Sequence, residues 1–315
     1  MHLKKIASVA ATTVLAFSAF TPAANAQTTL GSVDLGSLDV IASILDQLGQ
    51  APSVPSVPGQ TNLTRSAVDV AGQGNREYLI ETPATMDPNK SYPVLFGFAG
   101  WQHDATMYRG YADLNNVAGQ EAIIVYPEGK AQAWEGPKYA ETSRGQDVAF
   151  VQAILSKVKS QYKVDSSRVY ATGLSNGGGM AVSLACQAPG TFAAVASVAG
   201  AYYNPTLSNC SAGAVDTLLI HGTADDHMLY GGGSNAHGGD YFSVPQAAQR
   251  IGTRNGCTST ALTNPTSNGR TDMYTLGGCP TGGQTRVYAV NGGEHTWFPS
   301  NPAAAQVVWD FLKTR

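Results

Sequence analysis

Apolar positions change their period from segment to segment along the chain. Arg76–Thr82 (REYLIET) and Tyr92–Phe98 (YPVLFGF) predict strands, the second almost wholly apolar. Ala122–Tyr126 (AIIVY) is an apolar run short enough for a strand buried on both faces. Between Asp147 and Tyr162 the apolar residues fall at Val148, Val151, Ile154, Leu155, Val158 and Tyr162, the spacing of one helix face. Arg168–Thr172 (RVYAT) predicts a strand, and the GGGMAVSLACQA after it predicts a helix start. Phe192–Val198, Thr217–His221 and Thr285–Val290 predict further strands, and Ala303–Lys313 a closing helix with Val307, Val308, Phe311 and Leu312 near one side. Strands alternating with helices predict an α/β fold: a mostly parallel central sheet with helices on both faces and chemistry at the carboxyl ends of its strands.

The beginning of the chain does not fit that alternation. Lys4 and Lys5 precede an apolar stretch, Ile6 to Phe20, and Ala24-Asn25-Ala26 has the small-x-small pattern of a signal-peptidase site. Residues 1–26 are therefore expected to be a secretory signal peptide, cleaved after Ala26, and the protein to be extracellular. The apolar run is short of the ~20 residues that span a bilayer. Residues 27–64 read as a low-order lead-in that ends in a Pro/Ser linker (QAPSVPSVPGQTN), and residues 65–315 as the catalytic domain.

Charge and cysteine content narrow the function classes. Charged residues make up 13% and the net charge is −3, so there is no basic footprint for nucleic acid. The four cysteines, Cys186, Cys210, Cys257 and Cys279, form no C-x-x-C pair, which argues against zinc. In an oxidising compartment they predict two disulfides. Three pairings are possible; Cys186–Cys210 with Cys257–Cys279 closes the shortest loops. A monomer without metal or organic cofactor is expected.

Ser175 lies in VYATGLSNGGGM, between Gly173 and Gly177. In a chain with 35 glycines a lone G-x-S-x-G is a weak signal. Its context strengthens it, because the motif follows an apolar strand and opens a helix, as a nucleophile elbow requires. A serine hydroxyl needs a base and the base an orienting acid, in the chain order Ser, acid, His. His103 precedes the serine, His221 lies at a strand end, and His227 and His237 fall in or beside a glycine-rich loop. His295 follows the last strand and precedes the last helix, where the base belongs. Asp225, in a short G-x-x-D turn after a strand, is better placed as the acid than Asp226. The backbone N–H groups of Asn176 and of Trp101, in the glycine turn Gly100-Trp101, are the expected oxyanion donors. Trp134 and Trp297 are candidates to line the substrate cleft. The YGGGSNAHGGDY loop is expected to form a flexible rim rather than a cation site.

The segments RVYATGLSNGGGMA, LLIHGTADDHMLY and GGEHTWFP, with the paired cysteines, resemble the secreted poly(3-hydroxybutyrate) depolymerases, feruloyl esterases and acetylxylan esterases of carbohydrate esterase family one. The similarity runs from about Arg65 to the C-terminus. It implies an α/β-hydrolase fold, a Ser175-Asp225-His295 triad and oxyanion donors at Trp101 and Asn176. One departure is visible: Ala99-Gly100 stands where such enzymes commonly carry His-Gly, a histidine that braces the loop. The resemblance implies a secreted serine esterase acting on polyhydroxybutyrate-type, feruloyl or acetyl-polysaccharide esters. A secreted peptidase or an acyltransferase on cell-envelope substrates, using the same triad, is the alternative.

Overall fold

The structure, a computed structural model, describes residues 61–315. The expected signal peptide and residues 27–60 of the lead-in lie outside the described residues. The first strand, β1 (Thr61–Val70), starts four residues before the boundary expected at Arg65, because it pairs along its whole length with β2 (Gly74–Pro83) in an antiparallel hairpin. After β3 (Tyr92–Phe98) come two short helices, α1 (Ala105–Ala112) and α2 (Leu114–Ala118), then β4 (Ile123–Pro127) and α3 (Gln146–Gln161). β5 (Val164–Leu174), α4 (Asn176–Gln187), β6 (Ala194–Val198) and β7 (Asp216–Gly222) follow. A small hairpin, β8 (Gly233–Asn235) with β9 (Gly239–Tyr241), precedes α5 (Val244–Asn255). The chain closes with β10 (Thr266–Ser267), β11 (Thr271–Thr275), β12 (Thr285–Val290) and α6 (Ala304–Leu312).

Ten strands form one sheet in the order β1-β2-β4-β3-β5-β6-β7-β12-β11-β10. From β4 to β12 neighbours run parallel, and antiparallel pairs occupy both edges. The central strands are apolar on both faces because both faces are covered. Successive residues alternate between two cores: Val94, Phe96, Ile123 and Val125 pack with α3 and α4, while Leu95, Ile124 and Tyr126 pack with α1, α2 and α6. The predicted face of α3, Val148, Val151, Ile154, Leu155 and Val158, is buried; Tyr162 sits just past its end as the C-cap. The expected cysteine pairing is present, Cys186–Cys210 and Cys257–Cys279.

This topology sets the site. β3, β5, β7 and β12 all end on one side of the sheet, so the loops that leave them converge there.

Candidate active site

Ser175 stands between β5 and α4 with φ 56° and ψ −119°, a conformation L-residues rarely adopt. It is held there by donation of its N–H to Val198 O (3.0 Å) and by acceptance at its carbonyl from Gly179 N–H (3.0 Å) and Ala201 N–H (2.8 Å). The flanking glycines are required by close approach. A Cβ on Gly173 would lie 2.4 Å from the Gly177 carbonyl, and one on Gly177 would lie 2.2 Å from Phe98 O and 2.4 Å from Ala99 O. The elbow therefore presses directly against the loop after β3.

β7 and β12 are parallel neighbours paired through Gly222↔Val290, and their loops cross immediately beyond. Thr223 N–H donates to Val290 O and Ala224 N–H to Gly293 O, both at 2.9 Å. This crossing brings Asp225 and His295 together: Nδ1 of His295 donates to Oδ2 of Asp225 at 2.7 Å. The other oxygen, Oδ1, accepts from the N–H groups of His227 (3.0 Å) and Met228 (2.7 Å). Nε2 of the buried His221 lies 3.1 Å from Oδ2. Burial works to raise the Asp225 carboxyl, but donation from His221 and His295 outweighs it and holds the group well below the usual carboxylate range. Asp226 is exposed and paired with His227 instead (2.7 Å), whose ring stacks on that of His295 at 5.0 Å. Ligand atoms of Asp225, Asp226 and His227 lie within 4.8 Å of one another. Both Asp225 oxygens are already committed to N–H donors, which suits an orienting carboxylate better than a metal ligand.

Ser175 and His295 open onto one cavity of about 640 Å³, whose lining also includes Trp101, Tyr139, Tyr203 and His237. Tyr139 stacks on the Trp101 indole at 4.2 Å, and His237 lies beside the pair, its ring centroid 5.4 Å from that of Trp101 and 6.5 Å from that of Tyr139. Tyr139 packs edge-to-face on Tyr203 with ring centroids 6.1 Å apart, and Asn235 donates to the Tyr203 oxygen at 3.1 Å. Burial raises both hydroxyls, which remain protonated donors in neutral solution. A larger cavity, about 720 Å³, lies at the opposite ends of β7 and β12 beside Asp216 and Gln284, away from these groups.

Two expectations are corrected here. Trp134 and Trp297 are each 1% exposed and do not line the cavity. Trp134 packs edge-to-face on Phe98 beneath the loop after β3, and Trp297 packs edge-to-face on Tyr108 in the core under α1. The aromatic wall comes instead from Trp101, Tyr139, Tyr203 and His237. The glycine-rich loop expected as a rim lines the cavity through Asn235 and His237 and forms the β8–β9 hairpin, joined to the wall by Lys138 N–H donating to Gly238 O at 3.0 Å. Trp101 and Asn176, expected as oxyanion donors, flank Ser175: a Cβ on Gly100 would lie 3.5 Å from Ser175 Cβ, and Asn176 opens α4, where an N–H has no intrahelical acceptor. Among the described residues no helix is long and apolar enough to cross a membrane.

The model of the Esterase family, described as "Putative esterase", matches residues 71–304. The chain is 32% identical over 252 residues to "Probable feruloyl esterase C" of Aspergillus niger, covering 75% of this chain and 83% of that protein. It is 29% identical over 272 residues to "Feruloyl esterase C" of Emericella nidulans, covering 82% and 90%. The solved acetyl xylan esterase from Aspergillus awamori superposes with a TM-score of 0.60 at 15% identity, over 80% of this chain and 100% of that one, a likeness of the α/β-hydrolase fold.

Proposed function

This chain belongs to the Esterase family and is a carboxylic ester hydrolase, and on that premise we propose that it is an exported serine esterase that releases feruloyl-type aromatic acids from polysaccharide esters. The observation that carries the reading is that Ser175 and the Asp225-bound His295 share one cavity with a stacked aromatic wall. With its proton on Nδ1, neutral His295 keeps a lone pair at Nε2. That nitrogen takes the proton of Ser175 Oγ as the oxygen bonds to the ester carbonyl carbon. The N–H groups of Trp101 and Asn176 hold the resulting oxyanion. The tetrahedral species collapses, the carbon–alkoxy bond breaks, and His295 returns the proton to the departing sugar oxygen. Water then attacks the acyl-Ser175 ester, with His295 again as base, releasing the acid and the free serine.

A planar phenolic acyl group gains face contact with Trp101 and hydrogen bonds from the Tyr139–Tyr203–Asn235 cluster. A 3-hydroxybutyrate unit has no ring to offer that wall. The two disulfides support an oxidising destination, in keeping with a signal peptide at residues 1–26. Turnover of methyl ferulate, acetylated xylan and 3-hydroxybutyrate oligomers tests the acyl class: methyl ferulate should be fastest, and faster cleavage of the hydroxybutyrate oligomers would overturn it. Ser175→Ala should abolish hydrolysis while leaving the circular dichroism unchanged; retained activity would remove Ser175 as nucleophile.

A further inference from the structure

Trp134 touches neither the cavity nor the triad, yet it ties together two segments that converge on Ser175. Its indole Nε1–H donates to Ala99 O at 2.9 Å, two residues before Trp101. Its backbone N–H donates to Asn176 Oδ1 at 2.7 Å, and its carbonyl accepts from Asn176 Nδ2 at 3.2 Å. One residue is thus hydrogen-bonded on one side to the loop after β3 and on the other to the first residue of α4. All these groups are buried, where a hydrogen bond is strong and its loss costly.

The clamp has its own foundation. Glu135 N–H donates to Asp147 Oδ2 at 2.8 Å, and the Glu135 carboxylate accepts from the N–H groups of Gly145 and Asp147, each at 3.0 Å. Asp147 in turn accepts from Arg76 at 2.7 Å and from the Thr142 hydroxyl at 2.6 Å. Two nearly inaccessible carboxylates beneath one surface loop carry a desolvation cost. Here their hydrogen bonds fix residues 134–135 against the N-terminus of α3.

We infer that Trp134 is a positioning residue that sets the separation of the two oxyanion donors, joining the Ala99-Gly100-Trp101 loop to the start of α4. Asn176 then serves twice, its backbone N–H toward the oxyanion and its side-chain amide toward the clamp. The inference rests on the Ser175 mechanism proposed above. Oxyanion donors act at about 2.7–3.1 Å from the position the charged oxygen will occupy, a tolerance of a few tenths of an ångström. A loop turning at Gly100 does not hold that tolerance unaided. Loosening it weakens binding of the charged tetrahedral species more than binding of the neutral ester, so kcat should fall while KM stays.

Trp134→Phe removes the indole donor and keeps a ring against Phe98. The expected result is a fall in kcat on methyl ferulate of about tenfold or more, with KM changed less than about twofold. Affinity for a phenylboronic acid, in which Ser175 Oγ adds to boron as its proton passes to His295, should fall by a similar factor. A general structural defect would lower the thermal midpoint without separating kcat from KM or weakening boronate selectively. If the Phe variant does not fold, benzothienylalanine at position 134 keeps the bicyclic shape and lacks only the N–H. A folded variant with unchanged kcat and boronate affinity would overturn the clamp. Fluorophosphonate labelling separates the two levels: no adduct at Ser175 in the unaltered protein overturns the mechanism beneath the inference, whereas an adduct there with unaltered variant kinetics overturns the clamp alone.

Discussion

The buried His221 and the partly exposed His295 bring a ring nitrogen to the same oxygen of Asp225, at 3.1 and 2.7 Å. Nε2 of His221 also lies 2.8 Å from the carbonyl oxygen of Met228, which can only accept, so that nitrogen carries a proton. Asp225 is thus surrounded by donors, two from imidazoles and two from backbone N–H groups. Asp225→Asn keeps the shape but loses the charge that fixes the His295 tautomer. Steady-state kinetics should show kcat lower by about 10³–10⁴ with a small change in KM.

The same carboxylate links stability to pH. Its folded-state pKa is depressed by the two histidines, so its contribution is complete above the unfolded value of about 4 and is lost as the pH falls through the lower folded value. Urea unfolding of the unaltered protein below pH 4 should therefore lose stability that Asp225→Asn does not have to lose. Parallel stability curves for the two proteins between pH 6 and pH 2 would contradict this.

Gly177→Ala sets a methyl group 2.2 Å from Phe98 O and 2.4 Å from Ala99 O, both backbone atoms with no rotamer to escape into. Either the start of α4 or the loop after β3 must move. Denaturant unfolding should show a loss of about 1–3 kcal/mol. Because the displaced loop carries Trp101, kcat at a temperature where the variant is fully folded should fall as well.

Trp101→Ala leaves the backbone N–H at position 101 and removes the ring that stacks on Tyr139 beside His237. Loss of one aromatic contact is worth about 0.5–1.5 kcal/mol, or about two- to tenfold in KM for methyl ferulate. An acetyl ester, which makes no such contact, should keep its KM. Equal changes for both substrates would place the acyl ring elsewhere.

How far the sequence carried the reading depends on whether a residue's role is local. Ser175, Asp225 and His295 are legible because each sits in a loop just past an apolar strand, and chain order then restricts the choice. The hairpin strand β1 was not, since most of its residues are exposed or half-exposed and show no strong alternation. Helix α1 was missed for a related reason: Arg109 and Gly110 interrupt its pattern, and Asp113 turns left-handed at its end. Trp134 and Trp297 misled because burial is a property of the packed chain. A tryptophan beside glutamate, glycine and lysine reads as surface, yet this one is covered by Phe98 and by the loop after β3. The wall of Tyr139, Tyr203 and His237 joins segments about a hundred residues apart, and no spacing rule connects them.

The burial of three of the chain's four tryptophans has an optical consequence. Trp134, Trp297 and Trp309 are shielded from solvent, while Trp101 stands in the cavity wall beside Ser175. Acrylamide quenching should therefore act chiefly on one emitter. An aromatic product stacked on that indole would dim it and protect it from acrylamide together. The protein thereby carries a built-in fluorescence gauge of cavity occupancy, usable on the inactive Ser175→Ala variant without any chromogenic substrate.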